Sequence, residues 1–343
     1  MRRAKIQDVA HLADVSLSTV SAVINGKDIV SEKTKRRILD AIARLDYQPS
    51  LYASNLARHR TQVLGLIVSN LVNPFFAEIA QVFEKVAHNR GYRVSLTDTN
   101  FSPSQLRICV KQMLSMRVAG VAVLTSEFDD DAFAMLKSCN IPSVFLDVGT
   151  PGPHMGNIRV DTKRGMFLAV RHLVELGHRD ILFVRNSRKA EKEPSLLSHR
   201  YRSQGLTEAV RKYGSERVKV QVVDIPGSGA HAGLKAIRSV LKDRSFTAVV
   251  AITDTVAFGV YRGLDEANLR VPQDVSVIGF DNTYLSEFMN PPLSTINIPK
   301  ESLSKAAVEM LLQLGESGQN GREVKLSTEL IVRKSTAPPK FVK

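Results

Sequence analysis

The sequence predicts an all-α head carrying a helix-turn-helix, followed by a larger α/β body built on parallel sheets. Three observations predict it. Residues 6–24 hold two short apolar periodicities of helical type separated by a break. From about residue 60 short apolar runs alternate with amphipathic stretches, the pattern of strands paired in parallel through helical crossovers. The length of 343 residues has room for one small domain and one large one.

In the head, Ile6, Val9, Ala10 and Ala13 recur at i, i+3, i+4 and i+7, one face of a first helix. Asp14-Val15-Ser16 interrupts the period, and Ser16 suits the N-cap of a second helix. There Val20, Val23 and Ile24 are expected inward, and Ala10 is small enough for the two helices to cross closely. The outer face carries Leu17, Ser18, Ser21, Ala22 and Asn25, small or hydroxylated side chains without an acid. Such a face fits the DNA major groove, where the first residues of a helix reach base edges. Pattern alone also admits a two-helix hairpin inside an ordinary core. Ser31 is expected to cap a third helix, with Ile38, Ile42 and Leu45 inward and Lys33, Lys35, Arg36, Arg37 and Arg44 outward. Tyr47-Gln-Pro49 stops it, because the residue before a proline is biased away from the helical region.

In the body, strands are expected at 63–69, 92–97, 120–125, 142–147, 158–161, 181–184, 218–223, 247–252 and 275–280. Helices are expected at 77–89, 105–116, 163–176, 201–212, 230–241 and 257–267, with Gly91, Gly120 and Gly177 as left-handed C-caps. The body is long enough for two α/β units, and sheets of this kind bind ligands beyond the carboxyl ends of their strands.

Composition narrows the function classes. The net charge of +13 favours a nucleic-acid partner. The first 60 residues hold eleven Lys/Arg against six Asp/Glu, a denser excess than in the remainder. No long apolar run or secretory pattern supports a membrane, so a cytoplasmic protein is expected. Cys109 and Cys139 lack metal-type spacing and read as reduced packing thiols. Enzyme chemistry is disfavoured: no phosphate-binding lysine loop, metal cluster or Gly-x-Ser-x-Gly elbow occurs, so neither cofactor nor metal is expected.

At this point the chain resembles the lactose-repressor/galactose-repressor family of bacterial transcription regulators, from Lys5 to about Pro339. The matching pieces are Asp8-Val-Ala10, Val15-Ser16, Thr19-Val-Ser21, Val30-Ser31, Thr34, Ala41-Ile42, Tyr47 with Pro49, Leu56-Ala57, Asn73-Pro-Phe-Phe76, Leu176-Gly-His178, Val271-Pro272, Ile278-Gly-Phe-Asp281 and Arg333-Lys-Ser-Thr336. The resemblance implies a helix-turn-helix head at 1–48, a hinge helix and linker at 49–60, and a two-lobed body at 61–343 of the periplasmic-binding-protein type. The chain would cross three times between the lobes. One lobe would comprise about 61–160 and 292–324, the other about 161–291 and 325–343, with a small-molecule effector in the cleft.

The resemblance places base readout on Leu17, Ser18 and Ala22. Ala22 departs from the family, where an arginine that reads guanine is common, so less dependence on that guanine is expected. Ser16, Thr19, Ser21 and Asn25 would hold phosphates or cap helices. Pro49 to Ala57 matches the hinge helix, in which Ala53, Leu56 and Ala57 form a small apolar face. Leu56 matches the leucine that wedges between base steps in the minor groove; a plain linker is the alternative.

For the effector, Phe75 and Phe76 follow the first body strand, where they can stack on a sugar or base or simply pack in the core. Asp161, Asp254 and Asp281 end predicted strands and can accept hydrogen bonds from sugar hydroxyls. Arg202, in Arg-Ser-Gln-Gly-Leu206, matches the family's ligand-gripping arginine; a surface salt bridge is its alternative. Thr253 stands where an asparagine is frequent. The loop from Arg185 to Pro194, with Arg188, Lys189 and Lys192, admits an anionic effector or a solvated mixed-charge rim. The expected function is a sequence-specific transcriptional regulator, by default a repressor, controlled by a sugar or sugar derivative. A homodimer on double-stranded operator DNA is expected, because the C-terminus lacks the leucine heptad of the family's tetramers. An activator or corepressor-dependent regulator, a sugar-binding protein and an enzyme are the competing readings.

Overall fold

The computed structural model describes residues 4–24, 29–47, 61–148, 152–186, 197–213, 218–227, 229–242, 244–317 and 321–340. The chain divides into two compact units, Met1–Gln62 and Val63–Lys343. Asn25, the hinge residues Ala53, Leu56 and Ala57, and the loop residues Arg188, Lys189 and Lys192 lie outside the described residues.

The first unit contains α1 (Ile6–Leu12), α2 (Leu17–Ile24) and α3 (Glu32–Arg44). Each start has a local cause. The Lys5 backbone N–H donates to Asp8 Oδ2 at 2.7 Å ahead of α1. Ser16 Oγ accepts from the Thr19 N–H at 3.2 Å for α2, and Ser31 Oγ from the Thr34 N–H at 3.3 Å for α3. Between α1 and α2 the chain turns through Asp14 at φ 49°, a conformation that aspartate tolerates better than most residues. Val9, Ala10, Ala13, Val20, Ile38, Ala41 and Tyr47 are buried together. Arg37 stays exposed as expected and also donates to Ala13 O at 2.6 Å and Asp14 O at 3.2 Å, tying α3 to the turn.

The second unit begins with β1 (Val63–Val68), α4 (Pro74–Asn89), β2 (Arg93–Asp98), α5 (Pro103–Ser115), β3 (Gly120–Leu124), α6 (Asp130–Ser138), β4 (Ser143–Leu146) and β5 (Met155–Val160). It continues through α7 (Thr162–Glu175), β6 (Asp180–Asn186), α8 (Leu197–Tyr213), β7 (Lys219–Ile225), α9 (Ala230–Val240), β8 (Ala248–Ala251), α10 (Asp254–Glu266) and β9 (Ser276–Asp281). The last elements are α11 (Leu285–Phe288), β10 (Ser294–Asn297), α12 (Lys300–Ser317), β11 (Glu323–Leu326) and β12 (Glu329–Ile331).

Two six-stranded sheets result, in the orders β2-β1-β3-β4-β5-β11 and β7-β6-β8-β9-β10-β12. Buried apolar strands such as Val63–Val68 and Ala248–Ala251 occupy inner positions and need covering on both faces. The chain passes between the sheets three times, at 161, at 298–299 and at 327–328. The first and third passages are stitched side by side: the Asp161 N–H donates to Leu326 O at 2.9 Å, and Thr328 Oγ1 donates to Asp161 O at 2.8 Å.

Several expectations need correction. The segment 292–324 is not all in the first lobe, because Ser294–Asn297 pairs in parallel with β9 of the second sheet. The sheets are not wholly parallel, since β12 runs antiparallel to β10. Gly91 and Gly177 adopt positive φ as expected of C-caps, but Gly120 does not. Gly120 opens β3, where a Cβ would lie 3.1 Å from both Leu311 Cδ2 and Pro142 O. The left-handed residue after α5 is Arg117 at φ 53°. Among the described residues no helix is long and apolar enough to cross a membrane.

Candidate functional site

The exposed start of α2 is the first candidate site. Leu17 is 46% exposed, and Ser18 and Ser16 are also exposed. Ser16 Oγ is hydrogen-bonded to Ser18 Oγ at 2.7 Å and to Thr19 Oγ1 at 2.8 Å, so one capping hydroxyl orients its neighbours. Thr19 and Ser21 are half-buried. Ala22 contradicts the expected reading face, being buried at 8% exposure. Its one-carbon side chain lies a turn from Ser18 and Thr19 and does not stand above the helix surface. Of the side chains expected to read bases, Leu17 and Ser18 therefore stand exposed, while Lys33, Arg36 and Arg44 stay exposed on α3.

The second candidate is a cavity of ≈ 50 Å³ between the two sheets. Its lining includes Phe75 and Phe76 from α4, Thr125 and Ser126 after β3, Asp147 after β4, Thr162 of α7 and Arg202 of α8. The aromatics arrive there because Asn73 caps α4, accepting from the Phe75 N–H at 3.1 Å, and Pro74 opens the helix. Phe75 and Phe76 meet edge-on with centroids 5.1 Å apart, and both are also core residues. The rings thus line the cavity while packing into the core.

Arg202 is buried, not a surface ion-pair partner. Its Nη1 donates to Ile252 O, its Nη2 lies 3.4 Å from Asp281 Oδ1, and its Cζ stands 3.9 Å over the Phe280 ring. Its Nε–H is buried with no hydrogen-bond partner among the described residues. Burial pushes the guanidinium down and the Asp281 carboxyl up, the latter to about 8 against the pull of Arg202. Burial likewise pushes Asp147 up to about 7, although its Oδ1 accepts from the Val160 N–H at 3.0 Å. Two carboxyls thus hold protons near neutrality around one guanidinium.

The other acids expected in the cleft do other work. Asp254 is fully buried and saturated by donors: the Thr283 N–H at 2.7 Å, Ser286 Oγ at 2.7 Å, Thr283 Oγ1 at 3.2 Å and Thr295 Oγ1 at 2.5 Å. It bolts α10 to the chain after β9 instead of facing a ligand. Asp161 is exposed and caps α7, accepting from the Arg164 N–H at 2.9 Å. Thr253 caps α10, accepting from the Val256 N–H at 3.2 Å. Arg185, at the rim, is paired with Asp224 at 2.9 Å and Ser203 at 3.1 Å. Sequence reasoning missed Asp147, Thr125 and Ser126. The signal was present, because Thr125 and Asp147 end strands that the pattern locates and Ser126 follows one. A larger hollow of ≈ 800 Å³ lies on the second lobe beside α10, rimmed by Arg262 and Arg270. Those side chains are exposed and satisfied by Asp265, Glu266 and Asp274.

Comparison with known proteins bears on both sites. The family described as bacterial regulatory proteins, lacI family, matches residues 5–50, and the periplasmic binding protein-like domain matches residues 170–336. The HTH-type transcriptional repressor PurR of Actinobacillus pleuropneumoniae serotype 3 (strain JL03) is 32% identical over 336 residues, spanning 97% of this chain and 98% of that protein. The lac repressor dimer bound to operator and the anti-inducer ONPF superposes with a TM-score of 0.83 at 29% identity, over 98% of this chain and 100% of that one. A transcriptional regulator from Enterococcus faecium with bound ribose superposes with a TM-score of 0.70 at 28% identity, over 81% of this chain and 100% of that one.

Proposed function

This chain belongs to the lacI family of bacterial regulatory proteins, and from that premise we propose how its two candidate sites divide the labour. It is a DNA-binding transcriptional repressor with a ligand-binding body and is not an enzyme. The head binds double-stranded operator DNA, and two copies act together as a dimer, the arrangement of the lac repressor on its operator. In our reading Leu17 and Ser18 touch base edges from α2. Ser16, Thr19, Ser21 and Asn25 serve phosphates or caps, which position without specifying. Ala53, Leu56 and Ala57 form the minor-groove hinge.

The effector is a small neutral molecule rich in hydroxyl or amide groups, of the sugar class. The observation that carries this reading is the buried, unpartnered Nε–H of Arg202 at the cavity. A ligand oxygen would complete it, the Phe75 and Phe76 rings would cover an apolar ring face, and Asp147 would exchange a hydrogen bond with a hydroxyl. The charge balance opposes an anion: Arg202 is the one cation lining the cavity among the described residues, and Asp281 already faces it. A phosphate in this poorly solvated site would be met by that one cation alone, and only with Asp147 and Asp281 both kept protonated, since either carboxyl once ionised adds like charge. At ≈ 50 Å³ the cavity is smaller than a bound sugar needs, so the lobes part as ligand enters. That movement would reset the spacing of two hinges in a dimer, and the coupling between ligand and operator is reciprocal.

The test is a thermal-shift screen of the full chain. Ribose, glucose and other neutral sugars are compared with ribose 5-phosphate and glucose 6-phosphate, and hits are confirmed by calorimetry. Stabilisation confined to neutral sugars is expected; tight binding of a phosphate would overturn the neutral reading.

A further inference from the structure

The turn that carries Asp281 is held from the opposite lobe. Asp281 and Asn282 are consecutive non-glycine residues at φ 118° and 52°, a strained pair that needs outside support. Lys300, the first residue of α12, supplies it: its Nζ donates to Asp281 O at 3.1 Å and to Asn282 O. Glu78 of α4 completes the arrangement. Its Oε2 lies 3.2 Å from Lys300 Nζ, and its Oε1 accepts from the Tyr284 N–H at 2.9 Å. Both side chains are largely shielded, at 12% exposure for Lys300 and 20% for Glu78.

The placement matters because α4 and α12 pack together in the first lobe, whereas 281–284 ends β9 of the second sheet and leads into α11. Within the second lobe the turn has its own anchors. Arg333 Nη2 donates to Asn282 Oδ1 at 2.9 Å, and Asn282 Nδ2 donates to Asn297 Oδ1 at 3.0 Å. Those bonds survive any lobe movement, since every partner belongs to the second lobe. The bonds from Glu78 and Lys300 do not. Glu78 lies one turn beyond Phe75 on the same helix, so a displacement of α4 moves both the ring at the cavity and the acceptor on the turn.

We propose that Glu78 and Lys300 form an interlobe latch, acting as positioning residues that hold the Asp281 turn in its strained form only while the lobes are together. Separation of the lobes frees two carbonyls and one N–H of the turn, which relaxes and swings the Asp281 carboxyl away from Arg202. Effector geometry and lobe arrangement are then one variable. This inference rests on the cavity being the effector site, but the latch itself is measurable without a ligand.

The experiment is amide hydrogen exchange on the ligand-free full chain, comparing wild type with Glu78→Gln, Lys300→Met and the double variant. Glu78→Gln preserves shape and an acceptor for Tyr284 while removing the charge opposite Lys300. Exchange in 281–286 is expected to rise roughly fivefold or more in each single variant, with residues 79–89 of α4 unchanged. The double variant should be no faster than Lys300→Met alone, because the two act as a unit. Unchanged exchange in 281–286, additive effects, or a rise shared by the whole chain would overturn the latch. Where Lys300→Met fails to fold, Lys300→Arg replaces it, keeping the charge but not the compact ammonium that fits between two carbonyls. Failure of the sugar screen with a positive exchange result would refute the sugar reading and leave the latch standing.

Discussion

Replacing Asp254 separates a core role from a ligand role. Asp254→Ala removes an acceptor of four hydrogen bonds at a position with no solvent exposure. The Thr283 N–H is left with no replacement, which costs about 1–3 kcal/mol for a buried donor. The hydroxyls recover part of their loss, because Thr283 Oγ1 and Ser286 Oγ already lie 3.2 Å apart and can rotate toward each other. Bonds to an ionised group are worth about 1.5–3 kcal/mol each, but relief of the buried carboxyl's own desolvation offsets some of that. The expected net loss is about 3–4 kcal/mol. Asp254→Asn keeps one oxygen toward Thr283 and Ser286 and turns its amide toward Thr295, whose hydroxyl switches from donor to acceptor, so the expected loss is about 1 kcal/mol. The chain has no tryptophan, so urea unfolding is followed by far-ultraviolet circular dichroism, alongside calorimetry with the neutral sugar that the screen identifies. The reasoning fails if Asp254→Ala unfolds at the wild-type midpoint, or if it loses sugar affinity while stability is kept.

Two further outcomes follow from the same geometry. Burial raises Asp147 to about 7 and Asp281 to about 8, so the folded chain holds these protons more tightly than the unfolded one. The stability they contribute is full below the ordinary carboxylate range and is lost as pH rises through about 7 and 8; His172 and His178, pushed down by burial, act oppositely and cost stability as pH falls below their ordinary value. Unfolding midpoints from pH 5 to 9 should therefore fall on the alkaline side, less steeply in Asp281→Asn; an identical alkaline slope in that variant would refute the assignment. At Gly205, where α7 and α8 touch, a Cβ would stand 2.1 Å from the backbone Lys163 O, so Gly205→Ala should cost about 2–3 kcal/mol in a thermal melt. A melting temperature equal to wild type would show that the helices part freely.

Apolar runs made most of the body legible. Val63–Val68 and Ala248–Ala251 announce themselves because inner strands of a doubly covered sheet must be apolar on both faces. Ser294–Asn297, Glu323–Leu326 and Glu329–Ile331 were silent for the opposite reason: they are short, near sheet margins, and half polar. The lobe boundary at 292 came from the resemblance alone, and no strand signal stood there to correct it. The rule that acids at strand ends face a crevice located Asp281 but could not tell it from Asp254. Spacing gives a residue's position, whereas the direction of its carboxylate depends on partners such as Thr283 and Thr295, distant in sequence. Ala22 failed similarly, since a helical period reports azimuth and not how far a methyl stands from the backbone.

The triple passage between sheets has a consequence for how the protein is made. On a ribosome, β5 and β9 would be complete with their outer neighbours β11 and β10 still unsynthesised. Both sheets therefore present an unpaired apolar edge until the last fifty or so residues emerge, about 2–10 s at ordinary translation rates. The first sheet closes only with β11 and the second only with β12, so the nascent chain carries two sticky edges at once. Overproduction multiplies the exposed edges, so the final segment governs whether a crowded preparation folds or aggregates.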